Sequence, residues 1–272
     1  MKIVLLEPAE PDSPAAKKLT RIHDLLEKKG HEVFLQIADN SFFEFILKHQ
    51  PDVVFNLASI YGWRKTNLIP AILEITGVRY TGSSLLSLSL ARNYTKRFPL
   101  LLASGVPMAA FVIIKAGNAA LPVSFHFPLT LYCDGSCNEI VIKNQAELKK
   151  ELKNYPAHED VVLQEMVTGE KASIYILDSA PFLSPDHSEF FDPALKTYQL
   201  LEARGLARFD FVKSDGFYLD EIDLSPDPLD EDLLQLAADY GLDEMEIMQL
   251  LLEHAGSDLP APRKSISSRS RK

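Results

Sequence analysis

One stretch near the C-terminal end constrains this chain more than any other. Ala207 to Asp223 reads Ala-Arg-Phe-Asp-Phe-Val-Lys-Ser-Asp-Gly-Phe-Tyr-Leu-Asp-Glu-Ile-Asp. Two short β-rich apolar runs, Ala207–Val212 and Phe217–Ile222, flank Lys213-Ser214-Asp215-Gly216. Asp-Gly between such runs is a strong hairpin signal, because both residues tolerate the backbone that a tight turn requires. Strand side chains alternate. Arg208 and Asp210 therefore share a face of the first strand, and Glu221 and Asp223 share a face of the second. A register that brings Asp210 onto the face of Glu221 and Asp223 gathers three carboxylates beside an arginine. Such carboxylates repel, and a hard divalent cation such as Mg²⁺ relieves the repulsion. A hairpin with a merely solvated acidic face has the same pattern.

Composition narrows the class. At 272 residues the chain can build roughly two or three compact units. Its formal net charge of -10 argues against nucleic acid as a partner, which needs clustered Lys and Arg. The only cysteines, Cys133 and Cys137, lack zinc spacing and read as reduced thiols. Met1 leads straight into a strand pattern, and no apolar run reaches the roughly 18 residues of a membrane helix. A cytoplasmic protein with no membrane partner is expected.

Periodicity predicts strands at Lys2–Leu6, Glu32–Ile37 and Asp52–Leu57, separated by helices at Ser13–Gly30 and Phe42–Lys48. This β-α-β-α-β order implies a parallel sheet with right-handed crossovers. No Gly-rich phosphate loop follows the first strand. Helices are predicted at Asn67–Thr76, Tyr94–Ser104 and Gln145–Asn154. Strands are predicted at Phe111–Ile114, Phe127–Tyr132 and Glu139–Ile142, and Val161–Val167 and Ala172–Leu177 as a pair around Thr168-Gly169. Ser179–Ser188 reads as a Pro-rich loop, Pro193–Arg204 as a helix, and Leu229–Tyr240 and Asp243–His254 as the closing helices. The tail from Gly256 cannot bury a core and is expected to be disordered.

Several stretches follow one another in a telling order: Phe55-Asn56, Ile72-Leu73-Glu74, Gly77-Val78-Arg79-Tyr80-Thr81-Gly82-Ser83-Ser84 and Gly105-Val106-Pro107. Then come Phe127-Pro128, Asp134-Gly135-Ser136, Glu165 before Gly169, Arg208-Phe209-Asp210-Phe211, and Glu221-Ile222-Asp223 with Ser225-Pro226. Together they resemble the D-alanine–D-alanine ligase branch of the ATP-grasp superfamily. The resemblance implies a fold of mixed α/β and α+β class. A Rossmann-like N-terminal domain (1–92) precedes a two-part ATP-grasp fold, a small α+β subdomain (93–170) and a C-terminal subdomain with the carboxylate hairpin (171–255), then the basic tail (256–272). It implies acyl-phosphate chemistry with ATP and Mg²⁺, small-molecule carboxylate and amine substrates, and a homodimer through the N-terminal unit. It places the metal on Asp210, Glu221 and Asp223, with Asp where the family has Asn at the last. It assigns Arg208 to the transferring phosphoryl group.

Departures from the family pattern bear on function. Where the resemblance places an Asp-Lys pair, the chain reads Asn93-Tyr94, and the nucleotide lysine of a strand end becomes Tyr132. Lys96 or Arg97 could supply a cation, and Tyr94 and Tyr132 either stack on adenine or fill space. The adenine strand falls on Gln164-Glu165 and Val167. The ribose-binding Glu falls on Lys171, with Glu170 one place early. The His-Gly of the first substrate is missing near Ala58–Gly62, and the Ser-Leu that would hold an acceptor carboxylate reads Asp232-Leu233. Two readings stay open: an ATP-dependent carbon–nitrogen ligase with a changed substrate, or a catalytically degenerate relative that binds or scaffolds.

Overall fold

The computed structural model describes residues 1–7, 15–58, 68–115, 125–134, 139–155, 160–182 and 185–256. Most of the basic tail, the 135–138 turn, the aromatic pair Tyr61 and Trp63, and part of the Ser179–Ser188 loop lie outside them. The chain divides into two compact units, Met1–Thr81 with Met245–Lys272, and Gly82–Glu244.

The first unit is built on a parallel sheet of β1 (Lys2–Glu7), β2 (Glu32–Ile37), β3 (Val53–Asn56) and β4 (Arg79–Tyr80), in the order β2-β1-β3-β4. β1 and β3 are buried apolar runs, as central parallel strands must be. Helices α1 (Ala15–Lys28), α2 (Phe42–His49) and α3 (Leu68–Thr76) make the crossovers. Phe42, Ile46, Ile69 and Leu73 pack on Val4, Leu6 and Val54. The guanidinium of Arg79 donates to the carbonyls of Leu252, Glu253 and Ala255 at 3.3, 3.3 and 2.9 Å. A cation there satisfies the orphan carbonyls of a helix C-terminus.

The second unit holds two antiparallel sheets. One contains β5 (Phe111–Lys115), β6 (Leu129–Cys133), β7 (Ile140–Ile142) and β8 (Asp160–Glu165), ordered β5-β8-β6-β7. The other contains β9 (Glu170–Leu177), β10 (Ala180–Phe182), β11 (Leu206–Lys213) and β12 (Phe217–Asp223), ordered β10-β9-β11-β12. The expected pairing of Val161–Val167 with Ala172–Leu177 is corrected here. β8 lies between β5 and β6, and β9 between β10 and β11, so the Thr168-Gly169 segment passes from one sheet to the other. Adjacent apolar runs in sequence satisfy burial equally well in one sheet or in two, and only long-range pairing distinguishes them.

Each sheet packs one face on a core backed by a helix. In β6 and β8 alternate residues Leu129, Leu131, Cys133, Val161 and Leu163 pack with Leu148 of the helix Gln145–Glu151. In the second sheet Ile174, Ile176, Phe209, Phe211 and Leu219 pack with Ala194 and Tyr198 of the helix Phe191–Leu200. The same cluster takes Leu88 and Ala91 from α4 (Leu85–Arg92), a helix missing from the sequence-based expectation. Ser84 caps it, accepting from the Ser87 N–H at 3.1 Å. The alternating Leu-Ser run conceals the helical period. Gly169 is required by close approach: a Cβ there would lie 2.0 Å from the Lys213 carbonyl oxygen. Among the described residues no helix is long and apolar enough to cross a membrane.

Candidate functional site

The faces of the two sheets turned away from these cores carry the polar residues. On the first sheet the alternation that turns Leu129 and Leu131 to the core turns Thr130 and Tyr132 to the other side, along with Gln164 and Val141. On the second, Lys171 of β9 is paired with Val212 of β11, and Val212 with Tyr218 of β12. These residues line one cleft of about 450 Å³ together with Ala109, Glu139, Glu165, Val167 and Asp220. The size suits a small organic ligand. Its floor is apolar and aromatic and its rim is acidic. Lys171 is the one basic side chain among the described lining residues, and its Nζ lies 3.0 Å from Asp220 Oδ2. That hydrogen bond and the charge of Asp220 raise the Lys171 pKa. Burial, then the charge of Asp220, raises that of Glu139.

Of the six residues expected to hold a nucleotide, the cleft gathers Tyr132, Glu165, Val167 and Lys171; Tyr94 and Glu170 are not among its lining. Glu165 Oε1 accepts from the His126 N–H at 2.9 Å. The Tyr132 hydroxyl donates to Gln164 Oε1 at 3.2 Å, and its ring sits 4.8 Å from that of Tyr94 and 5.4 Å from that of Phe98. Burial, then the charge of Glu139, holds the Tyr132 hydroxyl protonated well above the usual tyrosine range.

The β11 face that carries Val212 continues, beyond the cleft lining, to the carboxylates of the hairpin. Arg208 pairs with Asp223 and Asp210 with Glu221 in register, so all four share one face. A β-bulge follows: Phe211 pairs with Leu219, which leaves Asp220 as the extra residue. Simple alternation would set Asp220 on the face opposite Glu221. Counted from Tyr218 on the cleft face, Asp220 keeps that face by alternation, and the bulge turns Glu221 and Asp223 to the Asp210 face as well; no sequence signal marks a bulge at that step. Arg208 Nε lies 3.3 Å from Asp210 Oδ2, and its Nη2 lies 3.7 Å from Glu221 Oε1. Burial would lower the Arg208 pKa, but the charges of Asp210, Asp223 and Glu221 outweigh it and raise it. Burial is the main cause of raised pKa values at Glu221 and Asp223. Arg208 opposes it at both, and the Ser225 N–H, donating to Asp223 Oδ1 at 2.8 Å, opposes it at Asp223.

The donor set suits a hard cation. Asp210 is mostly buried, and its Oδ1 has no hydrogen-bond partner. A buried, unsatisfied carboxylate oxygen beside two more carboxylates is what oxygen-ligated Mg²⁺ requires. Arg208 supplies part of the compensation. The three carboxylates are not drawn in tightly: among the described residues the one such trio with ligand atoms within 4.8 Å of one another is His23, Asp24 and Glu27 on α1.

The chain is similar to the D-alanine–D-alanine ligase of Syntrophotalea carbinolica, at 24% identity over 276 residues covering 88% of this chain and 89% of that protein. The corresponding ligase of Francisella philomiragia is 25% identical over 289 residues, covering 90% and 95%. The crystal structure of D-alanine–D-alanine ligase from Bacillus anthracis complexed with ATP matches with a TM-score of 0.78 at 16% identity, covering 93% of this chain and 97% of that one. No protein-family model matches the chain. The fold is that of the ATP-grasp superfamily, a Rossmann-like parallel unit followed by antiparallel sheets that enclose a cleft. Within that class the chain is similar in sequence to D-alanine–D-alanine ligases.

Proposed function

We propose that the protein is an ATP- and Mg²⁺-dependent carboxylate–amine ligase homologue of the cytoplasm, built as the three units 1–92, 93–170 and 171–255, that does not use D-Ala. The observation that carries this reading is the single face of β11 that runs from the cleft to the carboxylates. Val212 floors the cleft, and Asp210 and Arg208 follow on the same face at two-residue steps, each about 7 Å. A base held by Tyr132, Glu165, Val167 and Lys171 would direct its phosphates along this face toward Asp210.

Asp210, Glu221 and Asp223 would hold Mg²⁺, which when bound neutralises phosphate charge and aligns the transferring group. Arg208, a fixed cation on the same face, offsets charge that develops during transfer. A substrate carboxylate oxygen attacks the γ-phosphorus and ADP leaves. An amine then displaces phosphate from the resulting acyl-phosphate and loses a proton. Partial closure of the site excludes water, which would otherwise hydrolyse that acyl-phosphate.

A second reading, a degenerate relative that binds without turnover, draws on the packing of Tyr94, Tyr132 and Phe98 as one ring cluster where the family resemblance places lysines. Calorimetric titration with ATP, with and without Mg²⁺, and ADP release in the presence of mixed carboxylates and amines separate the two. Mg²⁺-dependent binding with amine-stimulated ADP release supports the ligase. Binding without release supports the degenerate relative.

A further inference from the structure

The cleft poses an electrostatic problem. Glu139, Glu165 and Asp220 line it, and its one described lysine is already engaged by Asp220. A triphosphate brings about four negative charges, of which a divalent ion offsets only part. A further cation is needed, and Arg97 is placed to provide it. It projects from α5 (Tyr94–Ala103), the helix that follows α4, and is 7% exposed. Its guanidinium lies 4.6 Å from the centre of the Tyr94 ring and 5.4 Å from that of Phe98. Tyr94 in turn packs on Tyr132 of the cleft wall.

The Arg97 side chain is incompletely satisfied. Nη1 donates to the Ala91 carbonyl, while Nε is buried with no hydrogen-bond partner. Native structures rarely leave such a donor unpaired, because an unmet buried charge–dipole contact is costly. Its charge is felt by Tyr132 and Glu139 of the cleft and by Glu221 of the hairpin. Arg97 therefore lies behind Tyr94, whose ring packs on Tyr132 of the cleft wall.

We propose that Arg97 is the phosphate-binding cation of this protein, covered by Tyr94 and supplied from within α5 in place of lysines at positions 94 and 132. The proposal rests on the nucleotide reading of the cleft. Arginine suits the role, since its planar fork offers several donors to phosphate oxygens and its charge persists on burial. Tyr94 shields the guanidinium from water by stacking, and its ring would have to rotate for a phosphate to reach Arg97.

The test compares Mg·ATP with adenosine, which shares the base and ribose but carries no phosphate. Calorimetry on wild type, Arg97→Gln and Arg97→Lys should show adenosine binding little changed. Mg·ATP binding should fall by at least about tenfold in Arg97→Gln, the scale of a lost charge-assisted hydrogen bond, and recover in part in Arg97→Lys. Equal losses for both ligands would assign Arg97 a structural role and overturn the proposal, as would unchanged Mg·ATP affinity. If Arg97→Gln does not fold, Tyr94→Ala decides. Uncovering the guanidinium should raise Mg·ATP affinity relative to adenosine, and an unchanged ratio overturns the proposal. Wild-type protein that binds neither ligand would remove the nucleotide reading itself, and this proposal with it.

Discussion

Arg208 and Asp210 stand two residues apart on one face of β11, with Nε and Oδ2 3.3 Å apart, while the other Asp210 oxygen is buried without a hydrogen-bond partner. The pair is thus only half satisfied. An arginine that fully neutralised this face would leave no role for a metal, and carboxylates without it would repel. The arrangement is suited to a cation that comes and goes with its ligand.

The first prediction is a pH dependence of stability. Glu221 and Asp223 hold their protons to higher pH when folded, chiefly because of burial. A folded pKa above the unfolded value means that the native state binds more protons in that window. The stability that these two groups contribute is therefore fully present below the usual carboxylate range near pH 4, and is lost as pH rises through the folded values. Without divalent ions, the midpoint of thermal unfolding of Asp223→Asn should fall less than that of wild type as pH rises from about 4 to 7. Glu221 is more than half exposed, so its share is smaller and screened by salt. Parallel curves for wild type and variant would refute the assignment.

The hairpin carrying these residues was legible because Asp215-Gly216 punctuates two alternating runs, and the observed strands extend the expected ones by a residue at most. The turn sets the register only as far as Phe211 and Leu219; continued, it would put Asp210 opposite Asp220 rather than Glu221. What alternation could not supply was the bulge beside Asp210, which brings Glu221 opposite it, or the separation of β8 from β9 into different sheets. Both depend on contacts distant in sequence. Arg97 was visible as a nearby cation, but its burial beneath Tyr94 arises from packing between α5 and β6.

The second prediction concerns Gly169, at the passage between the sheets. An added methyl would meet the Lys213 carbonyl at 2.0 Å, and backbone cannot rotate aside as a side chain can. Gly169→Ala should destabilise the protein by about 1–3 kcal/mol, the usual range for overpacking. It should also weaken any ligand of the cleft, because residues 165 to 169 and Lys171 line it. Urea unfolding with an unchanged midpoint would show that the loop relaxes freely.

The third prediction places charge in the aromatic wall. Tyr132→Lys should tighten Mg·ATP binding, by about tenfold where the new ammonium forms a charge-assisted contact. It should also lower the unfolding temperature, since the variant loses ring contacts with Tyr94 and Phe98 and the bond to Gln164. Nearby Arg97 repels the new charge, so Tyr132→Lys combined with Arg97→Gln should bind more tightly than Arg97→Gln alone. Thermal unfolding and calorimetry together check both halves, and weaker Mg·ATP binding in a folded Tyr132→Lys would exclude a phosphate path past this wall.

The last prediction concerns the acceptor. Asp230 caps the helix Glu231–Asp239: its Oδ1 accepts from the N–H groups of Asp232 and Leu233 at 3.1 and 3.3 Å, and from the Tyr175 hydroxyl at 2.8 Å. The donors that a helix N-terminus offers to an anion are thus engaged by the chain's own carboxylate. Glu231 and Asp232 add further negative charge in the first turn. A substrate carboxylate meeting this end would be repelled and would find these two N–H groups taken. The protein should therefore form no D-alanyl-D-alanine from D-Ala and ATP, and any amine that it accepts should lack a carboxylate near the nucleophile. Asp232→Ser should relieve part of the repulsion, while Asp230, retained in that variant, still occupies the donors. Dipeptide synthesis by the wild-type protein, detected by mass spectrometry, would overturn this reading of the acceptor end.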